Sequence, residues 1–569
     1  MEDLHEVIIT LKSMDDLESF YNDIETDGGN DTIPARAVPV FKRRPISRNT
    51  HYMLTHDEVA IIMEDPRVDG VTFAKLAAAA IKPMWTTPSQ DFSKSDESVS
   101  NHYNWGLKRC IDGVQTPNWG YGTGCVLSNI VSVSHSLSGK HVDVIIVDGH
   151  IDASHPEFAV NADGTGGSRV NQFNWFSLNS IVTSIDDDAS TLGTGTYTYT
   201  WSGAYGSNIV KQSNHGCHVA GIAAGNTAGW ARDANIYNIS PYSTNTNTLD
   251  SLALWDYIRA FHRNKSINPE TGHKNPTICN CSYGSSITWP DATIGTGSIT
   301  QVVIRNVTTG NRVSALSQTQ LRTAKIQNTS GIATIPYYDS SEVADIQQAI
   351  DDGIIIVGAA GNDSAYIDDQ TGLDYNNYFW AKYNGVNYTW DAHRGSAPGS
   401  ASNVITVGSI ANAANEAKAS FSNTGPGITV FAPGSSISSS YNVSDTYSNT
   451  TDPRNASYVK GKISGTSMAS PQVTGVLACA LEMYPNMTQA DAVKYIETFS
   501  KLDQIPLYDS VLGPSFGISD LLNLVGAPNR YLYAHKERSV TNRVYPKINY
   551  WLRPTSGQVY PRVKRRLYK

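Results

Sequence analysis

The sequence predicts an α/β fold, a parallel sheet layered between helices, with a small α+β unit before it and a β-rich tail after it. Three observations carry this. From about residue 105 to 525, short apolar runs alternate with amphipathic helical patterns, the signature of strand–helix–strand crossovers. The runs are continuously apolar, as in HVDVIIVDG (141–149) and IIIVGAAGN (354–362), which is what strands covered on both faces require. Residues 1–75 instead fit strand, helix, strand, helix and strand into one short span.

In that first unit, residues 6–13 (EVIITLKS) read as a strand and 15–25 (DDLESFYNDIE) as a helix with an acidic first turn. RAVPVFKR is extended. Thr55 is an N-cap for 55–65, with Glu58 placed to close a capping box and Pro66 to stop the helix. Residues 68–74 (VDGVTFA) return as a strand. Residues 76–104 turn polar and read as a linker. In the main domain, 105–527, further strands are expected at 235–239 and 276–284, with helices at 250–264 and at 341–353, the latter ending at Gly353. Two stretches, 160–212 and 285–338, are rich in Thr, Ser, Gly and Asn and read as insertions. The tail, 528–569, repeats VYPKINYWL (544–552) as VYPRVKRRL (559–567), which suggests a hairpin.

Composition sets the class. The chain has 569 residues, 40% hydrophobic and 17% charged, ample for a buried core. No apolar run approaches the about 18 residues of a membrane span, so no membrane partner is expected, and no nucleic-acid partner. The start carries acids where a secretory signal carries Lys or Arg, and lacks an apolar stretch before a small-residue cleavage site; the expectation is no secretory signal and a cytoplasmic protein at synthesis. The formal net charge is −9, yet residues 529–569 hold eleven Lys or Arg and one acid, leaving −19 for the remainder. A basic, aromatic tail on an acidic body reads either as a docking segment or as a solvated surface.

Cys110, Cys125, Cys217, Cys279, Cys281 and Cys479 include no CxxC pair, so neither a zinc nor a redox motif is present. Cys279 and Cys281 share one side of a strand, their Cα atoms about 6.6 Å apart, near the long limit for a disulfide. Free thiols in a reducing compartment are expected, with a Cys110–Cys125 bridge as the alternative.

Four segments carry chemistry: IIVDGHIDASHPEF around Asp148, NHGCHVAG around His215, GAAGN ending at Asn362, and GTSMASPQVTG around Ser467. Each alone has an ordinary reading as a turn, a loop or a helix cap. Together they supply a nucleophile, a base, an acid to orient the base and an amide donor, in the order Asp, His, Ser. The elbow of α/β-hydrolases needs Gly two residues after the nucleophile, where this chain has Ala469. Ser467 falls where a loop enters an apolar helix, with Pro471 expected in its first turn. Free N–H groups and a partial positive charge at such an end favour a developing oxyanion.

These segments resemble the subtilases, over most of residues 105–525, the GTSMASP segment most specifically. CNCSYG (279–284) and FAPG (431–434) are similar to two further family segments. The resemblance implies a subtilisin-like three-layer fold and a serine endopeptidase with Ser467 as nucleophile, His215 as general base, Asp148 as its orienting acid and Asn362 in the oxyanion hole. It implies an extended polypeptide substrate lying along Ser282, Tyr283 and Gly284, with Ala359, Ala360 and Gly361 walling the pocket for the residue before the cut. The related Ser-Glu-Asp peptidases need a Glu base and an Asp at the oxyanion position, which His215 and Asn362 exclude. Residues 1–75 resemble the family's inhibitory prosegment, which makes the chain's own N-terminal segment an intramolecular inhibitor released by cleavage within 76–104; the alternative is a permanent docking domain. No cofactor is needed for catalysis. Structural calcium is common in the family, and no ligands for it are assigned here. The signal-less start and Tyr-rich tail are similar to subtilases of tailed bacteriophages, which implies virion association, with docking to a viral particle through the basic tail.

Three positions depart from the family pattern. Gly149 and His150 follow Asp148 where Ser or Thr and then Gly are usual, so His150 either tunes the pH response or is simply solvated on a loop. Cys217 stands where Thr is usual and reads as a small inert hydrophobe, though one that bulky thiol reagents could use to block the site.

Overall fold

The computed structural model describes residues 4–42, 48–73, 85–94, 103–113, 130–171, 207–239, 251–290, 297–304, 307–309, 316–326, 328–329, 332–383, 386–413, 415–441, 449–507 and 523–534. They form two compact units, one within Met1–Lys82 and one within Pro83–Glu537. Cys125 and the repeated tail segments lie outside the described residues.

In the first unit, His5–Leu11 lies between Asn49–Leu54 and Val68–Phe73, and Val40–Lys42 adds at the edge, all antiparallel. Strand alternation buries Val7, Ile9 and Leu11 against Phe20 and Ile24 of the helix Leu17–Ile24 and Val59 and Ile62 of His56–Ile62. Thr55 and Glu58 close the expected capping box, at 3.3 and 2.9 Å. The strand Asn49–Leu54 is absent from the sequence reading. Its alternation is present, with Tyr52 and Leu54 buried, but His51 and Asn49 dilute the apolar signal.

The second unit is built on a nine-stranded sheet. Its spatial order is Val170–Asn171, Asn235–Ile239, Asp143–Val147, Thr277–Cys281, Ile355–Ala359, Ile405–Ile410, Val430–Pro433, Arg530–Tyr531 and Lys501–Leu502. Every pairing is parallel except the last. Period-two alternation splits Asp143–Val147 between two cores: Val144 and Ile146 face one, Ile145 and Val147 the other. The first core is closed by the helices Ser207–Ala224, Thr466–Met483 and Gln489–Phe499, the second by Ser251–Asn264 and Ser340–Asp351. This is the expected α/β three-layer arrangement. The helix before Ile355–Ala359 ends as expected, with Gly353 at φ +96°.

Several expectations about boundaries change. Trp85, Phe92 and Lys94, placed in the linker, are buried in the body, and Trp85–Thr86 pairs with Ser134–His135. Tyr531, Leu532 and Ala534, placed in the tail, are fully buried, and Arg530–Tyr531 is a strand of the main sheet. Arg109 and Lys94 converge on Glu416, and the Arg109 guanidinium lies 3.9 Å from the Tyr531 ring centre. A cluster drawn from residues 94, 109, 416 and 531 has no local sequence signature. The helix that carries His215 starts at Ser207, inside the stretch 160–212 read as an insertion.

The insertion expected over 285–338 builds β-structure with its own core. Ser286–Pro290, Ile332–Pro336 and Asn328–Thr329 form one antiparallel sheet, and Gly297–Ile304, Val307–Thr309, Tyr378–Tyr383 and Val386–Asp391 form another. Trp289, Val302, Leu321, Ile335, Phe379 and Ala381 are among the residues packed in that core. Half of the second sheet comes from 378–391, beyond the expected span; Asn384-Gly385 between alternating flanks is the sequence signal for that hairpin.

Candidate active site

Asp148 leaves the C-terminal end of Asp143–Val147, the strand from which the chain builds the sheet outward in both directions. A loop at such a reversal opens into a crevice. The Asn238 side chain shapes the loop: its Nδ2 donates to the carbonyl oxygens of Ile146, Asp148 and Gly149 at 3.1–3.4 Å, and its Oδ1 accepts from the Ile151 N–H at 3.2 Å.

His215 sits in the middle of Ser207–Ala224. The neighbouring Gly216 is what lets this helix approach: a Cβ there would lie 2.1 Å from the Gly149 carbonyl oxygen. At that distance the His215 Nδ1 reaches both oxygens of Asp148, at 2.9 and 2.8 Å. A carboxylate can only accept, so Nδ1 carries the hydrogen and Nε2 of the neutral ring is left as an acceptor. Burial by itself would lower the pKa of His215; the Asp148 charge and hydrogen bond outweigh it and raise the value above the ordinary 6.5.

Ser467 is the second residue of Thr466–Met483. Pro471 is the sixth, one turn further in than expected, and this placement has a consequence. An α-helix pairs the carbonyl of residue 467 with the N–H of residue 471, which proline lacks. The Ser282 hydroxyl takes that role, donating to the Ser467 carbonyl oxygen at 2.9 Å. Ser282 Oγ is itself held by Asn280 Nδ2 and Ser470 Oγ, each at 2.9 Å. In return, Ser467 Oγ donates to the Ser282 carbonyl oxygen at 3.1 Å rather than to His215.

Asn362 follows Ile355–Ala359, and its Oδ1 accepts from the Thr466 N–H at 2.9 Å and the Thr466 hydroxyl at 3.0 Å. A backbone N–H can only donate, so this fixes which end of the amide is oxygen. The Nδ2 donor is left over, near Gly465 and exposed to the crevice. Thr466 was not singled out in the sequence, although it precedes the nucleophile.

The sheet Ile437–Tyr441, Asn455–Ile463 and Asn449–Asp452 leads directly into Ser467. Two clamps tie it to the other groups. His218, on the His215 helix, approaches the Ile437 and Gly461 carbonyl oxygens through Nε2 at 2.8 and 3.1 Å; burial holds its pKa down at about 3, so it stays neutral. Glu157, in the Asp148 segment, accepts from Arg454 at 2.5 Å and from the Thr227 and Ala228 N–H groups at 2.7 and 2.6 Å. Burial would raise the Glu157 pKa, but the Arg454 and Lys460 charges pull it far below the carboxylate range. Asp, His and Ser segments are thereby fixed to one another.

The remaining expected positions divide. Tyr283 turns its hydroxyl to Glu342 at 3.1 Å. Gly284 is exposed, with one side of its backbone bridged to Pro398. Ala359 and Ala360 are buried, Ala360 within the main core, so their side chains pack and only Gly361 is partly exposed. His150 is 4% exposed, which overturns a solvated loop. Cys217 is fully buried and accepts from the Asp152 N–H at 3.0 Å, so its thiol, pushed well above the ordinary range by burial, is closed to reagents. Cys110, Cys279, Cys281 and Cys479 are buried free thiols. Among the described residues, no cluster of three His, Cys, Asp or Glu could hold a metal, and no helix is long and apolar enough to cross a membrane.

Known proteins resemble this chain. Residues 139–513 match the profile of the subtilase family. An extracellular protease of Xanthomonas campestris pv. campestris is 38% identical over 149 residues, 26% of this chain and 20% of its own. An alkaline proteinase of Hapsidospora chrysogena is 33% identical over 196 residues, 34% of this chain and 35% of its own. The chain thus matches about a third or less of the length of these curated relatives. The crystal structure of a cold adapted subtilisin-like serine proteinase aligns with 76% of this chain and 99% of its own, at 18% identity and a TM-score of 0.42. With more than half of its length matching that one profile, the chain belongs to the subtilase family.

Proposed function

We propose that the chain is a serine endopeptidase that cuts extended polypeptides through an acyl-enzyme intermediate and matures by cutting itself. The observation that carries this is the pairing of His215 Nδ1 with Asp148 at 2.8 Å, which leaves Nε2 as the acceptor for a serine proton. Rotation of Ser467 about its Cα–Cβ bond exchanges the Ser282 carbonyl oxygen for Nε2. His215 then takes the proton as Oγ bonds to the scissile carbonyl carbon, and the imidazolium that forms is stabilised by Asp148. The carbonyl oxygen gains the negative charge and is met by Asn362 Nδ2 and by the Ser467 N–H, since the Thr466 and Met468 N–H groups are already paired. His215 returns the proton to the leaving amine. A water, deprotonated by the same imidazole, releases the acyl group and restores Ser467. The substrate backbone lies along Ser282–Gly284, held by main-chain hydrogen bonds.

In this reading the N-terminal unit inhibits until it is cut away. The cut falls before Trp85, because Trp85, Phe92 and Lys94 are buried in the peptidase body. The test is to express the full chain beside Ser467→Ala and follow both by intact mass and a fluorophosphonate probe. Processing and labelling confined to the Ser467 chain are expected. A folded chain starting at residue 85 that takes no label would refute peptidase activity.

A further inference from the structure

Between the two accessory sheets lies a cavity of about 200 Å³ walled by Ile287, Tyr337, Tyr338, Thr389, Trp390 and Asp391. Its rings are fixed before anything binds. Tyr337 meets Trp390 edge-on, with centroids 5.3 Å apart and planes at 72°, and Tyr388 stacks on Trp390 at 6.0 Å. Behind Tyr338, the Arg394 guanidinium lies 5.4 Å from the ring centre and pairs with Asp391 at 3.2 Å. Burial raises the Asp391 pKa and the Arg394 charge opposes that rise without cancelling it. A small cavity walled by tyrosine and tryptophan rings, with one acid at its edge, suits a flat ring and disfavours an anion.

Its position matters as much as its chemistry. Ser286–Pro290 begins two residues after Gly284 and pairs with Ile332–Pro336 in the register Ser286↔Pro336. The Tyr337 N–H donates to the Ser285 carbonyl oxygen at 2.8 Å. The cavity therefore continues the Ser282–Gly284 edge, whose near end touches the nucleophile through the 3.1 Å bond from Ser467 Oγ to Ser282. Pro398 bridges one side of Gly284 and leaves the other for an added strand. Ile287 stands five residues beyond Ser282, about 16 Å at the rise of a strand.

From this continuity we infer that the Tyr337–Trp390 cavity is a distal substrate subsite that takes an aromatic side chain five or six residues before the cut. The inference rests on the peptidase reading above and adds a specificity to it. Two independent elements thus meet in one substrate: the main sheet sets where the bond breaks, and the accessory sheets select what precedes it.

The test uses the full chain and a set of peptide nitroanilides that share the same four residues before the cut. They are extended at the N-terminus by two residues, Ala-Ala, Phe-Ala, Ala-Phe or Ala-Glu. For the wild type, Phe at one of the two added positions is expected to raise kcat/KM about tenfold over Ala, with Glu below Ala. In Trp390→Ala the Phe-to-Ala ratio should fall to about 1, and Asp391→Asn should relieve the loss with Glu. Taking ratios within each variant removes any general loss of activity. Equal rates for all extensions in the wild type would overturn the subsite. Failure to cut any peptide would count against the peptidase reading instead. In that event the same extended peptides are titrated into a Ser467→Ala chain that starts at residue 85, without the N-terminal unit, and followed by tryptophan fluorescence. Tighter binding of a Phe peptide supports the subsite. No preference, or a response to chitohexaose but to no peptide, overturns it.

Discussion

The nine-stranded body and the accessory sheets solve the same problem, burying a sheet, in opposite ways. In the body, Asp143–Val147, Thr277–Cys281 and Ile355–Ala359 are buried at every position because helices cover both faces. Their side chains are committed to packing, so chemistry is confined to the strand ends, where Asp148, Ser282 and Asn362 emerge. The accessory sheets are antiparallel and shallowly covered: Val386–Asp391 is exposed over its first four residues and half-buried over its last two. Side chains stay available along that edge strand, where Tyr388, Trp390 and Asp391 are found, while the inner strands bury Phe379 and Ala381 in a core of their own. On the peptidase and subsite readings proposed above, reaction and recognition fall to different parts of one chain for a packing reason.

The largest effect that would sharpen this division is loss of the nucleophile. Ser467→Ala should lower peptide hydrolysis by about a millionfold, the magnitude seen for the equivalent change in subtilisin, and abolish fluorophosphonate labelling while thermal unfolding hardly moves. The counterpart on the other side is Phe379→Ala, a fully buried ring in the accessory core. It should cost about 3–5 kcal/mol in that region, read as faster hydrogen exchange over 378–391, with Ser467 still labelled. Loss of labelling would break the comparison and make the two regions one cooperative unit.

A smaller change lies within the crevice. Asn362→Ala should reduce kcat by about 10²–10³-fold, with KM nearly constant, since its amide meets charge only in the transition state. An unchanged kcat, measured on a peptide that occupies the crevice, would assign the oxyanion to backbone donors alone. Smallest is the pH effect. Catalysis needs neutral His215, whose pKa is raised above 6.5, so kcat/KM should rise with pH through a midpoint above that value. For stability the sign is opposite. The Asp148–His215 pair contributes fully below 6.5, and the contribution is lost as pH rises through the raised value. An acid limb centred at or below 6.5 would mean that Asp148 does not control the ring.

Much of the site was legible because its signals are local. Asp148 ends an apolar run, Ser467 opens an apolar helix, and Thr55 with Glu58 spells a capping box within four residues. Even the Ser282–Ser467 exchange had a trace, since Pro471 lies four residues after Ser467 and must orphan its carbonyl. What escaped has no local form. The buried group of Lys94, Arg109, Glu416 and Tyr531 joins residues hundreds of positions apart. Ala359 and Ala360 read as cleft wall, and both are buried; small residues suit a wall and a tight core alike.

Sequence alone determined the layered α/β class and pointed to Asp148, His215, Asn362 and Ser467, in that chain order, as the groups of the proposed reaction, because periodicity and side-chain chemistry are properties of neighbouring residues. Tertiary structure decided which carbonyl Ser467 faces, which way the Asn362 amide points, that His150 is buried, and that residues 85–94 and 530–534 belong to the body. Those outcomes depend on hydrogen bonds and contacts between segments that meet only when the two cores close, and burial is a property of the folded whole.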